Sequence, residues 1–77
     1  MPTTNQPAIA ELIRELRERL GLSQEKFANQ LGVSFKTVNR WENGHAKPLP
    51  MAQKMIEQKL RSLGEQGTDL LTKYFPD

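Results

Sequence analysis

The sequence predicts an all-α fold, a compact bundle of five short helices. Three observations carry this reading. Ile9, Leu12, Ile13, Leu16 and Leu20 recur at the spacing of one helical face. Alternation of apolar and polar residues with period two persists nowhere over a useful length, so no strand is expected. After Leu20, glycine, serine and proline recur at short intervals and cut the chain into pieces of a few turns each.

Residues 1–6 are polar and are expected to form a flexible N-terminus, with one domain over residues 7–77. Pro7 suits a first helical turn, where its missing N–H costs nothing. The first helix carries the Ile9–Leu20 stripe and stops at Gly21, a residue that accepts the left-handed conformation at a helix end. Ser23 is a good N-cap for a second helix over about residues 24–31, with Phe27, Ala28 and Leu31 on one face. Gly32 ends it. Ser34 caps a third helix over about residues 35–42, which "ENG" closes, Asn43 and Gly44 both tolerating the left-handed region.

The loop "HAKPLP" holds two prolines, which a helix cannot cross. A fourth helix then runs from about Leu49 or Pro50 to Leu63, with Ala52, Met55, Ile56, Leu60 and Leu63 inward. The tail "GTDLLTKYFPD" predicts a short fifth helix, capped by Thr68 and offering Leu70, Leu71, Tyr74 and Phe75. Helices two and three are too short to be stable alone. Joined by Gly-Val-Ser across a tight turn, they form a helix-turn-helix unit that depends on its neighbours.

Composition narrows the function. A 77-residue chain makes one domain and buries only about 60% of the surface its unfolded form exposes, so each apolar face matters. The absence of cysteine excludes disulfides and thiolate metal sites and fits a reducing, cytoplasmic setting. No apolar run approaches the ~18 residues of a membrane span, and the N-terminus lacks the pattern of a signal peptide. Residues 1–31 hold four basic and four acidic side chains. Residues 32–63 hold Lys36, Arg40, Lys47, Lys54, Lys59 and Arg61 against Glu42 and Glu57. A basic middle between a neutral head and an acidic tail points to an anionic partner on one face, beside the plainer reading of an unevenly charged solvated surface.

That basic middle contains "VSFKTVNRWENG", from Val33 to Gly44. On a helix, Val38 and Trp41 point one way, while Lys36, Asn39 and Arg40 point the other, with Phe35 at the boundary. The stretch "GLSQEKFANQLGVSFKTVNRWENGHAKPLP" resembles the helix-turn-helix of the phage repressor and Cro family, the xenobiotic-response-element type of bacterial regulator. "LGLSQ", Ala28, Gly32, Val38, "WENG" and Pro48 carry the resemblance, which extends over about Ile9 to Leu71. Ala28 lets helices two and three cross closely, and Gly32 supplies the positive φ of the turn.

The resemblance implies sequence-specific binding of double-stranded DNA, as a transcriptional regulator and most simply a repressor. The third helix would enter the major groove. Lys36 and Arg40 could then reach guanine O6 and N7, and Phe35 a thymine methyl, with Thr37 and Asn39 flanking them. Phosphate contacts are implied for Gln24, Asn43 and Lys47. Ser34 joins them because the amides at the start of helix three suit an anion. The family also pairs an arginine of helix one with the glutamate of the closing turn, here Arg17 and Glu42. A homodimer on a palindromic operator follows from the same resemblance, with the apolar tail as a candidate contact. No cofactor is expected.

Plainer readings stand beside these. Phe35 could be rim packing, and Lys36 and Arg40 solvated charge. His45 stands in a loop without a second histidine, so a metal site is not expected. Glu11, Glu15 and Glu18, interleaved with Arg14 and Arg17, read as helix-surface pairs. Scattered glycines and the lack of a nucleophile–base pair argue against an enzyme. The rival class is protein interaction: an antitoxin, or an adaptor to the transcription machinery, using the polar face of helix four or the tail "DLLTKYF".

Overall fold

A computed structural model describes residues 9–76; the expectations for residues 1–6 and for Pro7 lie outside them. The described residues form five α-helices and no strand: α1 (Ile9–Leu20), α2 (Gln24–Leu31), α3 (Phe35–Glu42), α4 (Pro50–Ser62) and α5 (Thr68–Tyr74). A 3₁₀ turn, Gly64–Gly67, links the last two. The fold is all-α.

Each short helix has a local reason to start and stop. Ser23 Oγ accepts from the Lys26 amide at 3.1 Å, and Ser34 Oγ accepts from the Thr37 amide at 3.1 Å. Each cap satisfies one of the amides that a first turn leaves without a helical partner. Between them the chain reverses over three residues. Gly32 takes φ +73°, which lets the Val33 amide donate back to the Ala28 carbonyl at 3.0 Å. That left-handed residue is what allows α3 to start so soon after α2.

The core draws on every helix. Leu12, Ile13 and Leu16 of α1, Phe27, Ala28 and Leu31 of α2, and Val38 and Trp41 of α3 are buried with Ile56, Leu60 and Leu70. α3 packs on both α2 and α1, while α5 packs on α4 and α1. The recognition-helix candidate is thus held from behind by two helices, and its outer face is left to solvent.

Two local expectations change. Asn43 sits at φ −94°, outside the left-handed region, and Gly44 alone makes that turn at φ +76°. Thr68 is not a cap: it is the first residue of α5, and its hydroxyl donates to the Gly64 carbonyl at 3.3 Å. The 3₁₀ turn replaces the cap, and it seats buried Gly67 against the end of α4. The tail covers part of the core. Leu70 is buried, and Leu71, Tyr74 and Phe75 pack partly buried against the core. Among the described residues, the exposed large hydrophobic ones are Phe35, Leu49 and Met51.

Candidate nucleic-acid interface

The eight residues of α3 divide by helical period into an anchored side and an open side. Val38 and Trp41 are buried, and Phe35 keeps 52% of its surface exposed. Lys36 and Arg40 are exposed, whereas Thr37 and Asn39 are half-buried at the edges. Phe35 therefore does not fold into the rim of the core. Thr37 turns toward Ser34, their hydroxyls 2.9 Å apart, within the capping turn. Lys47 is exposed in the loop that follows α3.

Beneath this face lies a polar cluster centred on Glu42. Its side chain is only 3% exposed, yet every oxygen is served. Arg17 donates from Nε to Oε2 at 2.7 Å and from Nη2 to Oε1 at 3.1 Å, a two-point fork across α1 and α3. Arg17 Nη1 also donates to the Leu22 carbonyl at 3.0 Å, tying the α1–α2 turn to the same guanidinium. Arg14 Nη2 donates to the Glu42 carbonyl at 3.1 Å. Burial alone would raise the Glu42 carboxyl. The hydrogen bonds from Arg17 and Gln24, with the charges of Arg17 and Arg14, outweigh burial and hold it below its ordinary value. The same fork raises Arg17. Among the described residues, no buried side-chain nitrogen or oxygen lacks a partner.

The cluster continues outward. Gln24 Nε2 donates to Glu42 Oε1 at 3.0 Å, Asn39 Nδ2 donates to Gln24 Oε1 at 3.2 Å, and Asn43 Nδ2 donates to Asn39 Oδ1 at 3.1 Å. Four side chains from α2, α3 and the turn after it form one hydrogen-bonded row, from the buried carboxylate to the surface. Gln24 and Asn43 are therefore not free-standing groups but parts of that row.

Arg17 meets Glu42, the pair that the resemblance implies. Arg14, a candidate for a pair along the surface of α1, turns to Glu42 as well. The surface role falls to Arg19, which takes Glu15 at 3.1 Å and forks onto Asp69 of α5. Sequence reasoning did not anticipate the part of Arg14. Its signal was available: three residues before Arg17, it shares that face of α1. His45 is exposed, and among the described residues no group of His, Cys, Asp or Glu is arranged to hold a metal.

A family model, described as helix-turn-helix, matches residues 13–60, a span that takes in α1, the α2–α3 unit and most of α4. The chain belongs to the helix-turn-helix family. The repressor and Cro type is the branch that its motif fits. Among relatives, an HTH-type transcriptional regulatory protein predicted in Archaeoglobus fulgidus is 45% identical over 62 residues, 80% of this chain and 20% of its own. The propionyl-CoA carboxylase regulator of Cereibacter sphaeroides is 37% identical over 60 residues, 78% of this chain and 12% of its own. The type II methyltransferase M.SsoII of Shigella sonnei is 49% identical over 43 residues, 52% of this chain and 11% of its own. The helix-turn-helix chain thus spans a fifth or less of these relatives. No solved structure matches significantly. Among the described residues, no helix is long and apolar enough to cross a membrane.

Proposed function

We propose that this helix-turn-helix domain binds double-stranded DNA in a sequence-specific way, as a transcriptional regulator and specifically a repressor, with α3 in the major groove. The observation that carries the reading is the division of α3. Val38 and Trp41 are sunk in the core, while Lys36 and Arg40 stand exposed on the far side and Phe35, about half exposed, sits at the boundary. An aromatic that leaves half its surface in water beside exposed cations gains little from packing there. It fits base edges: Lys36 and Arg40 for guanine O6 and N7, Phe35 for a thymine methyl, with Thr37 at the margin. Gln24, Ser34, Asn43 and Lys47 are assigned to phosphates, which set register without reading sequence. The chemistry needs no cofactor or catalytic group.

A single unit of this size reads few base pairs, so pairing on a palindromic operator belongs to the proposal. Half-sites about one helical turn apart, ~34 Å, suit a body of 36 × 29 × 20 Å placed beside its own copy. The tail is committed to the core. Among the described residues, Leu49 and Met51, 75% and 78% exposed in the loop after α3 and the first turn of α4, are exposed apolar residues outside α3 and are assigned to contact with a second copy. For the antitoxin or adaptor reading, the apolar side of "DLLTKYF" is largely packed against the core, which leaves the polar face of α4 as the surface to use.

Gel-shift titrations of two variants test the assignment of roles. Arg40→Ala should cost about 1–3 kcal/mol on the best site and relax preference at one base pair. Lys47→Ala should weaken binding alike on all sequences and lower the salt slope by about one. Specific binding left intact by Arg40→Ala would remove α3 as the reading element.

A further inference from the structure

We infer that Phe35 is a specificity-determining residue that reads the C5 methyl group of a pyrimidine, so that 5-methylcytosine serves in place of thymine at its position and binding responds to cytosine methylation. The inference rests on the DNA-binding reading above and deepens it, since it names a modification of the DNA to which the same face responds.

A phenyl ring carries no hydrogen-bond donor or acceptor, so it is blind to most of the pattern that base pairs show in the major groove. Of the four bases only thymine presents an apolar group there, its C5 methyl. 5-Methylcytosine carries the same methyl on the same ring carbon. The two pyrimidines differ at position 4, an acceptor oxygen in one and an amino donor in the other. That difference is expressed in hydrogen bonds, which the ring does not make. A residue that takes thymine by its methyl therefore takes 5-methylcytosine as well, and disfavours unmethylated cytosine.

The structure puts Phe35 where such a contact is made. It is the first residue of α3, directly after the Ser34 cap, at the end of the helix that approaches base edges in this docking geometry. The other apolar side chains of α3, Val38 and Trp41, are buried, which leaves Phe35, 52% exposed, to meet a methyl. Lys36 and Arg40 are exposed beside it, and residues 33–41 contain no carboxylate. Glu42, the next acidic residue, is buried and paired with Arg17. This stretch thus carries no negative charge to oppose a nucleic acid. The aromatic surface left in water gains its contact only when the groove closes over it.

The test measures affinity of the whole chain for a duplex site selected from a random pool, with one methyl changed at a time. The position read by Phe35 is first located as the one at which Phe35→Ser relaxes base preference in that selection. There, uracil replaces thymine, which removes only the methyl, and 5-methylcytosine replaces cytosine, which adds only the methyl. Burying one methyl corresponds to about fourfold in affinity for each half-site changed: weaker for uracil than thymine, tighter for 5-methylcytosine than cytosine. Both responses should vanish in Phe35→Ser, with a melting curve to show that the variant is folded at the assay temperature. Equal affinities within either pair, or responses that persist in folded Phe35→Ser, overturn the inference. So does a selected site at which Phe35→Ser alters no base preference. Failure of the wild-type chain to enrich or bind any duplex would instead strike the DNA-binding reading itself. Should Phe35→Ser not fold, NMR on the wild-type complex decides. A nuclear Overhauser contact between the Phe35 ring protons and a thymine methyl, kept when 5-methylcytosine takes that place, supports the inference, and its absence at every thymine overturns it.

Discussion

Glu42 shows how one side chain can be costly to keep and costlier to disturb. Burying a carboxylate and a guanidinium together gains little net stability, but removing either partner leaves the other charged and poorly solvated. Arg17 keeps 18% of its side chain exposed, so the penalty falls at the lower end of the range for buried pairs. Arg17→Met should lower stability by about 3 kcal/mol, and the double variant with Glu42→Gln should recover part of the loss, as a thermal double-mutant cycle would show. Additive, near-zero effects would mean that the fork contributes nothing. The pH dependence follows from the direction of the shift. The folded Glu42 carboxyl lies below its ordinary 4.5, so the unfolded chain takes up the proton first. The stabilisation is present above about pH 4.5 and is lost as the pH falls through the folded value. Melting temperature in acid should therefore fall less steeply for Glu42→Gln than for the wild type.

At the scale of elements, two glycines are needed for different reasons. Gly32 stands at φ +73° with open space where a Cβ would go, so its constraint is conformational. Gly67 has an ordinary φ, but a Cβ there would collide with the Leu60 carbonyl oxygen, which is backbone and cannot swing aside. Alanine at either position should destabilise, by about 1–2 kcal/mol at Gly32 and about 1–3 kcal/mol at Gly67. Asparagine separates the causes: it tolerates the left-handed region and should partly rescue position 32, while at 67 it should be worse than alanine. Equal responses at both sites, in denaturant melts, would contradict this. The same contrast marks what was legible in the sequence. The turn at Gly32 could be read locally, from a serine cap just after a glycine. The 3₁₀ turn before α5 could not, because "GEQG" is shaped by how closely α5 approaches α4. Likewise Val38 and Trp41 declare the inner face of α3 by period alone, whereas the turning of Arg14 from its own helix surface toward Glu42 depends on where α3 ends. The amide row was hidden for the same reason, since Gln24 and Asn39 are fifteen residues apart and meet only after α2 and α3 have crossed.

For the whole molecule, the tail covers part of the core, and the loop after α3 carries exposed apolar surface. α5 closes the core, and Arg19 latches it to α1 by a fork onto Asp69, with Arg19 Nη2 3.0 Å from Asp69 Oδ2. Exposed apolar surface is moved to Leu49 and Met51, beside the proposed DNA face. If these two residues support pairing, Met51→Lys should leave the fold intact while shifting sedimentation of the DNA complex from two copies per duplex toward one. Unchanged stoichiometry would place the contact elsewhere. The central claim is that α3 reads base edges on paired half-sites. The measurement that tests it most directly is selection of bound duplexes from a random pool, followed by sequencing, for the wild type and for Arg40→Ala. The account predicts an enriched palindrome whose half-sites are centred about one helical turn apart, with preference lost at a symmetric pair of positions in the variant. Recovery of no enriched sequence by the wild type, or of the same sequence at full strength by Arg40→Ala, would contradict it.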